Sequence, residues 1–302
     1  MGASLGLEWC SSERIQTQFT PKVVLANSDS SGLILGREGS SERRARALVV
    51  TNDGAHEFSF DQPGWFVAGA RSGNQVAAAL ATAGPEFWLV RSDDGGVSWS
   101  APEASSALTV THVAIIGADV WALGVQTLGR WRGGEWQEMS SPVEINSIHD
   151  RVVGFGVIPV LLTSSGLYMW NEEREEWVSR TVGGRHIKEV SFPFFVSQRA
   201  GELVEIGKLQ GSEVVDLGTL QLPANVHAFS WGQWPNSENR AVQMVVRPTS
   251  AEKAGAVVLV RSADTGGFAI ESLSIPGPDW VGISGATGLL AMSVDRRIVQ
   301  YR

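Results

Sequence analysis

A single cysteine, Cys10, is present in the 302 residues, so no internal disulfide can form. That scarcity leads us to expect a reducing, cytoplasmic setting, with an extracellular one left open. The opening MGASLGLEWCSSERIQ has no basic segment followed by an apolar one, and no signal peptide is expected from it. No apolar run reaches the roughly 18 residues a membrane helix needs. Bases are outnumbered by acids, 24 to 32, and the net charge of −8 excludes general nucleic-acid binding, which depends on a basic surface. Phosphate-binding, dinucleotide-binding, zinc-protease and nucleophile-elbow patterns are all missing. The hydrophobic share, by contrast, is 43%, enough for a large core, and 34 glycines with 12 prolines point to many tight turns rather than long helices.

What the chain does have is a repeat of about 40 residues, the period of stacked supersecondary units. Six endings recur: LVVTNDGAHEFSF, WLVRSDDGGVSWS, GRWRGGEWQEM, LYMWNEEREEWVSR, LVEIGKLQGSEVVDL and VLVRSADTGGFAIES. Each alternates apolar and polar residues, turns through Gly, Asp or Asn, and alternates again, which is a hairpin. Two further short strands precede each hairpin, as in KVVLANSD with SGLILGR, making four strands per unit. The stretch WVGISGATGLLAMSVDRRIVQYR supplies only three strands, while LGLEWCSS supplies one. Its Glu8-Trp9 pair matches Glu135-Trp136 and Glu176-Trp177 in outer-strand position, an outer-strand place expected of Trp99 as well. The expectation is an all-β, seven-bladed β-propeller of four-stranded blades, closed when the N-terminal strand completes the C-terminal blade. The blades fall at about 22–63, 64–107, 108–142, 143–184, 185–224, 225–277, and 278–302 plus 4–20, in one domain over 1–302.

Ser92-Asp93-Asp94-Gly95-Gly96-Val97-Ser98-Trp99 resembles the Asp-box hairpin of BNR-repeat propellers. Ser262, Asp264 and Gly266 form part of a second copy, and Thr51-Asn52-Asp53-Gly54 a shortened third. The resemblance is to a superfamily of sialidases, sortilin-like receptors, photosystem assembly factors and some glycoside hydrolases. It implies a structural role for Ser92, Asp94, Gly96 and Trp99: a carboxylate satisfying turn N–H groups, glycines accepting left-handed backbone, an indole packing between sheets. Sialidase chemistry is not expected. The family's Arg-Ile-Pro is Arg14-Ile15-Gln16 here, and both tyrosines, Tyr168 and Tyr301, fall on third strands away from a channel mouth.

Three sets of residues are candidates for function. His112, His186 and His227 start the innermost strands of three blades and would bind a metal if they converged, although the usual ligand spacings are absent. Trp231 and Trp234 lie in the polar stretch WGQWPNSENR, where aromatics stack on sugars or anchor a protein. Arg43, Arg44 and Arg46 in the loop REGSSERRARA, with Lys253, Arg296 and Arg297, would form one basic sector on an acidic protein, since blades six, seven and one are consecutive around the ring. The dense acids Glu172, Glu173, Glu175 and Glu176 read as a solvated turn. The reading that results is a non-catalytic scaffold whose loops bind another macromolecule, a protein first. A carbohydrate-binding or glycoside-active propeller comes second, a metal-dependent channel enzyme third. No catalytic residue and no cofactor is assigned.

Overall fold

The computed structural model describes residues 54–180, apart from 83, 85–86, 106–108, 147–149 and 164, and outside that stretch the strands named here. Trp9–Arg14 (β1) precedes Phe19–Ala26, Gly32–Glu38, Arg44–Thr51 and Gly54–Pro63 (β2–β5). Trp65–Ser72, Gln75–Ala81, Phe87–Ser92 and Glu103–Ser105 are β6–β9; Val110–Ile116, Asp119–Gly124, Leu128–Arg132 and Glu135–Met139 are β10–β13. Arg151–Phe155, Ile158–Thr163, Gly166–Asn171 and Glu176–Arg180 are β14–β17; His186–Ser191, Phe194–Gln198, Leu203–Gln210 and Glu213–Gln221 are β18–β21. Val226–Gln233, Ala241–Pro248, Gly255–Ser262 and Phe268–Ile275 are β22–β25, and Trp280–Gly285, Leu289–Ser293 and Arg297–Tyr301 are β26–β28. The protein is thus all-β, with antiparallel four-stranded sheets and no helix among the described residues. Nor, among those residues, is any helix long and apolar enough to cross a membrane.

Each sheet from β2 to β25 is a meander of four consecutive strands, and β1 adds to β28 in the order β1-β28-β27-β26. Arg14 lies opposite Arg297 and Trp9 opposite Tyr301 in that last pairing. The strands fall into two compact units, one of Met1–Pro63 with His227–Arg302, the other of Gly64–Val226. In the first, β2 lies beside β26, and Phe19, Ile34, Leu48 and Val50 make a buried cluster. In the second, β10 lies beside both β6 and β14, so successive sheets stack through their first strands.

Among the described residues, burial follows strand position. Second strands are covered on both faces: Val76 to Leu80 of β7 and every residue of β11 are buried. This is why they read as continuous apolar runs rather than alternations. Fourth strands face solvent, as in the mostly exposed β13 and β17. Alternation within β11 and β12 then decides which neighbour each side chain meets. Val120, Ala122 and Trp131 pack on the β6–β9 side, against Phe87, Leu89 and Ala77. Trp121, Leu123 and Leu128 pack on the β14–β17 side, against Val152, Leu161 and Trp170. Gly129 has to be glycine here, because a Cβ at that position would collide with the Trp136 ring.

Two local expectations are corrected. Trp99 was expected on an outer strand, but β9 begins only at Glu103, because the Asp94 turn holds the chain in a compact loop as far as Ser98. Arg44 and Arg46 were expected in a loop, and they lie on β4. Arg46 is engaged there by Glu38, whose carboxylate accepts its Nε at 2.7 Å, and by Glu57 at 3.5 Å. Its charge is offset inside the sheet.

Candidate functional site

The Ser92–Trp99 turn closes on one carboxylate. Asp94 Oδ1 accepts the Ser92 hydroxyl at 2.8 Å and the backbone N–H groups of Val97 and Ser98 at 3.1 and 2.8 Å. Its Oδ2 accepts the Ser98 hydroxyl at 2.5 Å. Gly96 donates its N–H to Ser92 Oγ at 2.8 Å, and the Trp99 indole donates to Gly96 O at 2.8 Å. Gly95 and Gly96 adopt φ of 79° and 100°, a region closed to most side chains. Trp99 then packs against Phe66, with ring centroids 5.8 Å apart. Both carboxylate oxygens accept from the loop's own groups, so the turn organises itself.

The Ser98 hydroxyl above all, then the Ser98 N–H, holds the Asp94 carboxyl at about 2, below the ordinary value near 4. Because the folded pKa is the lower one, the carboxylate's contribution is complete above pH 4 and is lost as pH falls through 2. Asp94→Asn is expected to cost about 1–2 kcal/mol at pH 7, the worth of charge-assisted hydrogen bonds at an exposed site. Urea titrations should show that cost shrinking between pH 4 and pH 2. An equal cost at both pH values would trace it to shape rather than charge.

The candidate site proper lies where β12, β13 and the β16–β17 hairpin meet. Trp121 and Arg130 are cross-strand partners, as are Trp170 and Trp177. The three indoles form a T-shaped cluster, with centroids 5.7 Å apart for Trp121–Trp177, 5.9 Å for Trp121–Trp170 and 5.2 Å for Trp170–Trp177. The Arg130 guanidinium, buried with its residue at 5% exposure, stands 5.6 Å from the Trp121 ring and 5.9 Å from the Trp170 ring. It donates to Glu172 at 3.1 and 3.2 Å and to Gln137 Oε1 at 2.9 Å. Arg132, two residues along the same face, donates to Glu172 at 2.5 Å and to Asp119 at 2.6 to 3.0 Å. The Trp170 indole N–H also donates to Glu172, at 2.8 Å. Glu172 therefore joins two arginines and an indole, and the Arg132 hydrogen bond above all holds its carboxyl below the usual range. Asp119, then Glu172, hold the Arg132 guanidinium above its usual range.

Beside this network is a groove of about 570 Å³, lined by Arg130, Trp170 and Trp177, by Gln137 to Pro142, and by Glu175 and Glu176. The sequence pointed to Glu172 only as a solvated turn residue. Its reach to Arg130 and Arg132, 42 and 40 residues earlier, carries no local signal. A tryptophan opposite an arginine across the β11–β12 hairpin is the one clue that was legible.

The other sequence candidates are placed less completely. His112 lies half-buried on β10, and burial, helped by the Arg151 charge, brings its imidazole down to about 4. It is neutral at pH 7. His186 begins β18 and His227 follows the first residue of β22, with side chains outside the described residues. Among the described residues there is no cluster of three or more metal-ligating side chains. Trp231 is on β22, Arg297 starts β28 and Ser262 ends β24, while Arg43, Trp234, Lys253, Asp264, Gly266 and Arg296 lie outside the described residues.

No protein-family model matches the chain, and no curated protein does. Solved structures match over nearly its whole length. A chain of the mitotic checkpoint complex aligns with a TM-score of 0.67 at 7% identity, covering 100% of this chain and 94% of that one. Streptogramin B lyase aligns at 0.65 and 9% identity, covering 100% and 99%. YCF48 from Cyanidioschyzon merolae aligns at 0.57 and 13% identity, covering 97% and 99%. At such identities the fold is what is shared. An enzyme and a member of a multiprotein complex both carry it, so function has to be argued from the site.

Proposed function

We propose that this chain is a non-catalytic, seven-bladed propeller of the Asp-box type, closed by its N-terminal strand, and that it binds another protein. The antiparallel register of β1 on β28 supports closure, and the self-contained Asp94 turn supports the Asp-box likeness. A reducing, cytoplasmic setting goes with the lone Cys10. The observation that carries the binding reading is the groove, whose charged centre is already neutralised. Arg130 is committed to Glu172 and Gln137, so the site offers a fixed shape and field rather than a free acid or base. A glycosidase would need a carboxyl raised toward neutrality as its proton donor. The two described carboxyls with a displaced pKa, Asp94 and Glu172, both move down.

The discriminating experiment pairs immobilised full-length protein in native lysate with a glycan array. A protein captured near one-to-one, and rebinding when both are purified, supports the reading. Selective glycan binding with no such protein would replace it with the carbohydrate alternative.

A further inference from the structure

We infer that the groove between β13 and the β16–β17 hairpin seats an extended cationic segment of the protein partner, an assignment that rests on the protein-binding reading above. Its volume of about 570 Å³ suits a few side chains of a peptide. Three features of the lining choose the chemistry of that peptide.

The first is charge. Glu138, Glu175 and Glu176 are exposed along the groove, against Arg130 as the cation in the lining, and Arg130 is held by Glu172. Glu176 has one internal partner, Arg174 at 3.5 Å, but both side chains are more than half exposed, and such a pair exchanges readily for an incoming cation. A lysine or arginine entering here meets unbalanced negative charge, and an acidic segment would be repelled. The second is the wall. Trp170 is buried with the Arg130 guanidinium 5.9 Å from its ring centre, while Trp177 beside it is half-buried, so the open part of the Trp177 indole offers a surface suited to a cation and its aliphatic stem. The third is the backbone. Residues 137–139 belong to β13, the edge strand of its sheet, which has no ladder partner on its outer side among the described residues. An extended peptide can hydrogen-bond along such an edge while alternate side chains enter the groove.

The probe is a labelled octapeptide alternating Lys and Leu, with a Glu–Leu counterpart, followed by fluorescence anisotropy and by tryptophan emission of the intact protein. The Lys–Leu peptide should bind saturably at one site, shift tryptophan emission and weaken with salt, and the Glu–Leu peptide should not bind. Glu138→Lys should weaken binding about tenfold, the scale of one close charge pair. Asp93→Lys, an equal change of net charge at an exposed position in the loop between β8 and β9, should leave it within about twofold. Glu175→Gly supplies a variant whose fold is favoured, since Glu175 has φ of 52° where glycine is at ease, and it should also weaken binding. Equal weakening by Glu138→Lys and Asp93→Lys would mean diffuse attraction to a protein of charge −8 and would overturn the assignment. So would the absence of saturable binding, or an oligosaccharide displacing the peptide. A natural partner that binds the Glu138→Lys protein normally would remove the groove while leaving the scaffold reading intact.

Discussion

Trp121→Ala is expected to lower the unfolding free energy by about 4 kcal/mol, within the range for emptying a large buried aromatic site. Trp121 is 0% exposed, and its ring touches Trp170, Trp177 and the Arg130 guanidinium. Truncation removes apolar burial, two edge-to-face contacts and a cation–π contact together. The surroundings cannot collapse into the gap, because Trp121 sits on the double-sided strand β11 between two sheets. Urea unfolding followed by circular dichroism measures the loss. A loss below about 1.5 kcal/mol, the ordinary scale of a tolerated core swap, would show that the cluster packs far more loosely than the ring distances indicate. Trp121→Phe, which keeps an aromatic ring, should recover more than half of the stability.

Glu172→Ala is expected to cost about 3 kcal/mol, although Glu172 looks from its own strand like a turn residue in water. The cost comes from its partners. Arg130 has a side chain 6% exposed, and removing Glu172 leaves that buried charge with Gln137 and two ring faces. Breaking one side of a buried pair costs more than the pair contributes, and the value here is scaled down because Glu172 itself is 52% exposed. Arg132 retains Asp119 and should be little affected. The double variant Arg130→Met with Glu172→Ala removes both charges and should recover most of the loss, as an apolar replacement of a buried pair does. If the double variant is no more stable than Glu172→Ala, the uncompensated charge is not the cause. The pH dependence has a definite sign. With its folded pKa lowered, Glu172 contributes fully above the ordinary glutamate range, and the difference between wild type and Glu172→Ala should narrow as pH falls below that range.

These two sites show how differently the residues announce themselves. The strands were legible because period-two alternation and Gly-rich turns are local. LGRWRGGEWQEM and LYMWNEEREEWVSR both fold as the hairpins their patterns imply. Alternation also says that Arg130 and Trp131 face opposite ways, though it does not say toward what. The Asp94 turn was legible for the same reason, since Asp94 and the groups it binds lie within four residues of one another. One consequence still escaped: hydrogen bonds that wrap the loop to Ser98 delay the next strand, so Trp99 stands before β9 instead of on it.

By itself, then, the sequence determined the all-β class, the four-strand repeat and the self-satisfied turn, because each depends on contacts a few residues apart. The tertiary structure alone decided where charge and aromatic surface meet. Stacking β14–β17 on β10–β13 carries Glu172 to Arg130 and Arg132 and turns three of four exposed-looking acids into one structural anion, Glu172, and part of the rim of a groove, Glu175 and Glu176. The same stacking places Trp170 and Trp177 against Trp121. Strand pairing within the β2–β5 sheet settled that Arg46 answers to Glu38 and Glu57 on neighbouring strands, which takes it out of any free basic surface. Pairing of charges across sheets depends on distance in space, and spacing along the chain carries no trace of it.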